Sequence, residues 1–349
     1  MTSTRERLDS YAMTSTRERL DAATRELDPP LAAVDLGTLR TNAADLVRRA
    51  GGTPVRVASK SVRCRAVLEE TLGSGLTAQG GFRGIMSYSL REAIWLVRLG
   101  ARDVLMGYPT VDRGALAELA SDPLLLESIT LMVDNPAQLD VLHDAAGSTS
   151  VPARVCLDID ASLRVGPLHL GVRRSPLRTP DEAAAVAREA KRRGFVVVGV
   201  MFYEAQIAGL PDTSAPVRLV KRASAAELAT RRTAVVDAVT ATVGQLQIVN
   251  SGGTGSLEVS SADSSVTEVT AGSGLYVPTL FDRYNAFTPA RRCTSRCPRS
   301  ASRRPASPPC SAAATSRPGP RAQRGCRPRS GPRASSSQGT RAQARSRPR

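Results

Sequence analysis

Cysteine is scarce in the part of the chain that has apolar residues to fold with: only Cys64 and Cys156 fall in residues 1–290. Two thiols make no disulfide framework, so reduced cysteines and a fold held by its core are expected. No run of eighteen apolar residues occurs, which excludes a membrane-spanning helix. The start also lacks a basic cluster leading into an apolar stretch, so a cytoplasmic protein is the expectation. An excess charge is missing too. Sixteen of the 48 basic residues lie in 291–349, and the other 32 balance the 32 acids of residues 1–290. The net charge of +16 therefore belongs to the end of the chain and says nothing about what the body binds.

Residues 291–349 lack more: they contain no Leu, Ile, Val, Phe, Met, Tyr or Trp, and no Lys, Asp or Glu. Arg, Ser, Pro, Ala and Gly cannot bury enough apolar surface to offset the entropy of ordering, so a disordered basic tail is expected. The change is abrupt, and such residues are what GC-rich codons give out of frame, so a frameshift is the favoured account. A nucleic-acid-binding arm is the alternative, and it would bind with steep salt dependence. Cys293 and Cys297 have no second ligand pair at zinc spacing and are not read as a metal site. At the other end, residues 1–9 recur as 13–21, too short a repeat to build a solenoid. Residues 1–29 are read as an extension with a duplicated start, its natural beginning at Met13.

Between these ends the pattern is regular. Short apolar runs at 32–36, 54–59, 84–88, 103–108, 128–133, 153–160, 195–203 and 247–250 predict eight strands. Helical spacing or a helix-starting proline follows most of them, at 37–50, 65–72, 90–99, 113–119, from 136, at 181–193 and over 225–243. Eight strand–helix units within residues 30–290 have the size and rhythm of a (β/α)8 barrel, an α/β TIM barrel. A doubly wound sheet competes, but no glycine-rich dinucleotide fingerprint follows the first strand.

Three features sit where such a barrel does chemistry. The run Pro54-Val55-Arg56-Val57-Ala58-Ser59-Lys60-Ser61 puts a lysine at a strand's carboxyl end. A desolvated amine there is a nucleophile for carbonyl compounds, and a lysine snorkelling to water is the plainer reading. Ser251-Gly252-Gly253-Thr254-Gly255-Ser256 leaves the 247–250 strand directly, and Ala271-Gly272-Ser273-Gly274-Leu275-Tyr276 follows a strand-like run at 266–270. Either could be a tight turn. Two in succession in this position suit a phosphate, which backbone N–H groups can approach closely past glycine.

With Asp160-Ala161-Ser162-Leu163-Arg164-Val165-Gly166, Gly171-Val172-Arg173-Arg174-Ser175-Pro176 and Phe202-Tyr203-Glu204-Ala205-Gln206-Ile207-Ala208-Gly209, these motifs resemble the alanine-racemase-like (fold type III) pyridoxal-phosphate enzymes. Within them the chain is most similar to the D-threonine aldolase and amino-acid deaminase/aldolase branch. The resemblance covers about residues 30–290. It implies that Lys60 holds pyridoxal 5′-phosphate covalently and moves a proton at the substrate Cα. It implies that Ser251, Gly252, Gly253, Thr254, Gly255 and Ser256, with Gly272, Ser273, Gly274 and Tyr276, bind the phosphate. Arg164, or alternatively Arg173, would lie by the cofactor ring, and Tyr203, Glu204 and Gln206 could line the substrate side.

The implied activity is retro-aldol cleavage of a β-hydroxy D-amino acid such as D-threonine to glycine and an aldehyde, by a homodimer. A racemase, a D-serine dehydratase-type deaminase or a non-catalytic pyridoxal-phosphate carrier are the alternatives. D-threonine aldolases also use a divalent cation held by a carboxyl-terminal β-domain. Here 291–349 stands in place of that domain and holds no histidine, the only two being His143 and His169. The metal site is therefore expected to be absent and the activity impaired.

Overall fold

A computed structural model describes residues 16–28, 30–146, 151–285 and 287–288. The expectations for the duplicated start and the basic tail lie outside these residues, apart from Thr16–Ala23, which forms helix α1. Runs too short for helices and buried along their length become strands β1 (Val55–Ala58), β2 (Phe82–Ser87), β3 (Val104–Met106), β4 (Ile129–Val133) and β5 (Arg154–Ile159). A hairpin of β6 (Leu163–Val165) and β7 (Leu168–Leu170) interrupts the alternation. Strands β8 (Val196–Phe202), β9 (Ile248–Ser251) and β10 (Glu268–Ala271) complete the set. The eight outside the hairpin close a parallel barrel in the order β1-β10-β9-β8-β5-β4-β3-β2.

Helices clothe the barrel: α2 (Leu36–Arg49), α3 (Arg65–Leu72), α4 (Leu90–Arg98), α5 (Arg113–Ala120), α6 (Pro123–Ser128), α7 (Pro136–Ala146), α8 (Pro180–Arg192), α9 (Ala205–Ala208), α10 (Ala215–Val243) and α11 (Leu257–Ser261). Several starts are written locally. Ser89 and Asp112 cap α4 and α5 by accepting the N–H groups of Glu92 and Ala115. Thr179 and Glu182 form a reciprocal capping box on α8, with Pro180 in its first turn. Among the described residues no helix is long and apolar enough to cross a membrane.

One strand was misplaced by the sequence pattern. Residues 32–36 are not a barrel strand: Asp35 turns its carboxylate to the Thr38 N–H at 2.7 Å and caps α2. The place beside β1 is taken instead by β10, the run that had only looked strand-like. A five-residue apolar run suits a covering segment as well as a strand, and only the closure of the barrel separates the two. Lys60 thus follows the first barrel strand rather than the second, and the two glycine loops follow the seventh and the eighth.

The barrel interior holds an ion network as well as aliphatic side chains. Arg56 on β1 is fully buried and meets Glu268 on β10 at 2.6 and 2.8 Å and Asp103 at 2.9 and 3.1 Å. Asn250 donates to Glu268 and to Thr270, both at 2.7 Å. Burial opposes the Arg56 charge, but the two carboxylates outweigh it and hold the guanidinium protonated.

Candidate active site at the carboxyl ends of the strands

Strand β1 ends in a single turn, Ser59–Ser61, that swings Lys60 over the barrel mouth. Its Nζ lies 2.8 Å from the hydroxyl of Tyr108, which comes from the end of β3. The same nitrogen stands 5.8 Å from the ring centroid of Tyr203, at the end of β8. Arg174 lies over both rings, 4.5 Å from Tyr108 and 5.7 Å from Tyr203. It is held there by Asp158 of β5 at 2.9 Å and by a short hydrogen bond to the Gly107 carbonyl. Three strand ends and the loop after the hairpin therefore deliver one cluster: an amine, two phenols and a guanidinium.

Electrostatics differentiate its members. Burial alone would raise the Tyr108 phenol, but the Lys60 hydrogen bond and the charges of Lys60 and Arg174 prevail and lower it. Tyr203 moves up, through burial and then the neighbouring Glu204. Burial pushes Asp158 up to about 6 even though Arg174 pulls the other way. Its Oδ1 is buried without a hydrogen-bond partner.

The glycine loops flank this cluster. Thr254 Oγ1 accepts the Gly274 N–H at 3.0 Å and lies 3.2 Å from Ser273 Oγ, joining the two loops. A Cβ on Gly272 would stand 2.5 Å from the Ala58 carbonyl oxygen and 3.1 Å from Ser61, so the second loop rests directly on the Lys60 turn. A Cβ on Gly253 would meet Ala208 at 2.8 Å, with the Tyr203 ring 3.6 Å away. Glycine at both positions is what lets the loops close around the mouth. Tyr276 donates its hydroxyl to the Val62 carbonyl at 2.9 Å, just past that turn.

Not every expected phosphate donor is available. Glu204, almost fully buried, accepts from Ser251 Oγ at 2.9 Å, the Gly252 N–H at 3.2 Å, Ser256 Oγ at 3.0 Å and, by a short bond, Ser260 Oγ. Arg232 adds a bond to Ser251 Oγ at 2.9 Å, and Arg49 holds the Thr254 carbonyl at 2.7 Å. The first loop is thus braced from beneath, and three of its groups are committed to that brace. Among the described residues, the backbone N–H groups of Thr254, Gly255, Gly272 and Ser273 have no acceptor within the protein. Four unsatisfied donors on two joined glycine loops fit a phosphate.

Other placements depart from expectation. Arg164 sits on the hairpin, bonded to Asp160 at 2.7 Å, and no contact among the described residues links it or Arg173 to Lys60. Arg174, the next residue in the quoted motif, is the arginine at the mouth; the hairpin lifts Arg164 away from the strand end. Glu204 and Gln206 do not line a substrate face: both are buried, Gln206 donating to the Ala161 carbonyl at 2.7 Å. Tyr108 and Asp158 were missed by the sequence reading, though both sit at or near strand ends, the one available signal. His143 is exposed on α7, and His169 lies on β7. Among the described residues no cluster of three or more His, Cys, Asp or Glu side chains could hold a metal.

A closed parallel barrel with a lysine after its first strand and glycine loops after its last two defines the class of the fold type III pyridoxal-phosphate enzymes. The model of the family described as alanine racemase, N-terminal domain, matches residues 34–279, and the chain belongs to that family. No curated protein matches it. Among solved structures it is similar to a D-threonine aldolase from Filomicrobium marinum, with 21% identity, a TM-score of 0.62, and 77% of this chain against 67% of that one. It is also similar to a D-threo-3-hydroxyaspartate dehydratase from Delftia sp. HT23, with 21% identity, a TM-score of 0.55, and 74% of this chain against 63% of that one. An alanine racemase-like protein from Idiomarina loihiensis is 17% identical, with a TM-score of 0.54, and 75% of this chain covers 65% of it. The chain spans about two thirds of the length of these structures, and at such identities they establish the fold alone.

Proposed function

We propose that this protein is a pyridoxal-phosphate-dependent lyase acting on D-amino acids, cleaving a β-hydroxy D-amino acid to glycine and an aldehyde. The observation that carries the reading is the Lys60 turn packed against the second of two joined glycine loops whose backbone donors are unsatisfied. Bound pyridoxal phosphate would supply an electron sink for the bond broken at Cα. Lys60 would anchor it covalently and hold or return the Cα proton. The N–H groups of Thr254, Gly255, Gly272 and Ser273 would take its phosphate. Tyr108 would orient the Lys60 amine, and Arg174 would supply the positive charge at the ring that was assigned to Arg164 or Arg173. Tyr203 would form one wall.

The choice of cleavage over deamination or racemisation rests on the likeness to the D-threonine aldolase. The dehydratase neighbour supports the runner-up, loss of the β-hydroxyl with release of ammonia. Activity in this chain should be weak, because 291–349 offers no His, Asp or Glu to hold a cation for the β-hydroxyl. The test is to add pyridoxal phosphate to the full chain, reduce with borohydride and map the modified peptide. A visible absorbance band and a label on Lys60, both lost in Lys60→Ala, are expected; a wild-type protein with neither refutes the reading. Assaying glycine plus aldehyde against ammonia plus oxo acid then separates the two lyase reactions.

A further inference from the structure

The β6–β7 hairpin presents a second basic surface that the cofactor reading does not use. Arg164 and His169 are directly opposite one another in its antiparallel register, so their side chains share one face. Together with Arg173 they line a cavity of about 350 Å³, completed by Pro167, Leu168 and Ser175. No carboxylate lines it. Arg164 is tied to Asp160, but that acid is shared with Arg178 at 3.3 Å and lies outside the lining. Arg173 makes no ion pair or hydrogen bond among the described residues, and the buried His169 Nε2 has no partner. A guanidinium without a partner and an unsatisfied buried nitrogen, beside a second guanidinium, call for an acceptor that the lining residues do not supply.

The site is built on a firm base. Arg178 and Arg231 both donate to the Ser162 carbonyl, at 2.7 and 3.2 Å, and Arg231 holds the Asp160 carbonyl at 2.6 Å. At the far end Gly171 packs so tightly that a Cβ would come within 2.7 Å of Gln206 Oε1. None of the residues lining the cavity is among those that contact Lys60. Arg173 lines it, while its neighbour Arg174 is bonded to Asp158 and stacked on Tyr108.

We propose that this cavity binds a compact oxyanion, a carboxylate or a phosphate group, between Arg164, His169 and Arg173. The planar guanidinium of Arg173 is suited to bidentate contact with either. The probes are malonate and inorganic phosphate, titrated calorimetrically into the full chain at constant ionic strength. Saturable binding of at least one is expected, and the stronger of the two identifies the source as carboxylate or phosphoryl. Arg173→Gln should weaken it about tenfold or more, and His169→Gln several-fold, since each removes one charge-assisted or buried contact. Arg188→Gln, the same charge change on the exposed face of α8, should leave it unchanged. Lys60→Ala leaves both the cavity and the glycine loops intact and should bind the probes like the parent; phosphate held by the loops would survive in Arg173→Gln, so only the binding that Arg173→Gln removes is assigned to the cavity. The proposal is overturned if neither probe saturates, if both cavity variants bind like the parent, or if Arg188→Gln weakens binding as much as Arg173→Gln does.

Discussion

Glu204 is the residue whose removal tests the architecture of the candidate site most directly. Its carboxylate accepts four donors that converge from the first glycine loop and α11: two hydroxyls of Ser251 and Ser256, the Gly252 N–H, and the Ser260 hydroxyl. Glu204→Ala leaves all four beneath a buried loop. Three are hydroxyls that can turn, but the Gly252 N–H cannot, and desolvated donors without partners cost about 1–3 kcal/mol each. Allowing for rotation of the hydroxyls, a loss of about 3–5 kcal/mol in urea unfolding is expected. Glu204→Gln behaves differently. Its amide oxygen can face Ser251 and Gly252, and its NH2 can donate to Ser256 and Ser260, whose hydroxyls also accept. Only the charge assistance is lost, about 1–2 kcal/mol. The same ranking should appear in cofactor binding followed by absorbance. Glu204→Ala should weaken pyridoxal phosphate about tenfold or more, because the N–H groups of Thr254 and Gly255 lose their alignment, while Glu204→Gln stays within about threefold. An alanine variant that is folded, as stable as the parent and equally tight for the cofactor would show that the brace does not shape the loop.

Other perturbations address the barrel and the mouth. Arg56→Met leaves the buried Glu268 with only the longer Arg83 contact at 3.3 Å and the neutral Asn250 donor, and should cost about 3 kcal/mol in denaturant unfolding, whereas Arg56→Met with Glu268→Leu should recover much of that. Gly272→Ala puts a methyl against the Ala58 carbonyl and should destabilise by about 1–3 kcal/mol, since backbone cannot yield as a side-chain tip does. Tyr108→Phe removes the hydrogen bond to Lys60 and, with Tyr108 at the exposed mouth, should alter stability by less than about 1 kcal/mol. Its effect should appear in the pH dependence of the cofactor absorbance band. Asp158 gives a pH signature. Its folded pKa of about 6 lies above the ordinary carboxyl value, so the folded state holds a proton that the unfolded state gives up earlier. Stability should therefore fall between about pH 4 and 6 and level off above, by about 3 kcal/mol from this group alone. In Asp158→Asn that fall should shrink by this amount, and an unchanged pH profile would contradict the burial of Asp158.

Much of this architecture was written in local sequence. Seven of the eight barrel strands followed from short, mainly apolar runs, because a strand buried on both faces is largely apolar apart from groups paired inside the barrel, such as Arg56 and Asn250. The helices after Ser89, Asp112 and Thr179 followed from helical spacing of apolar residues, and the structure adds a side-chain cap at each of these starts, a contact that spans only three residues. Lys60 and both glycine loops stood out for the same reason: their residue types are unusual at strand ends. Belonging to the family was likewise legible, carried by motifs in order along the chain.

What tertiary structure alone decided is everything that depends on distant segments meeting. Whether 32–36 or 268–271 lies beside β1 is settled by which run can close the barrel, and nothing within either run says so. Arg164, Arg173 and Arg174 are indistinguishable as letters. The hairpin sends the first two to one cavity and lets the third reach Tyr108 and Tyr203. Glu204 looked like a substrate contact beside Tyr203, and it proved to be the acceptor for hydroxyls 47 to 56 residues away in the chain. A residue's type limits the bonds it can make, but the partner that makes the bond is chosen by packing, and packing is a property of the whole chain.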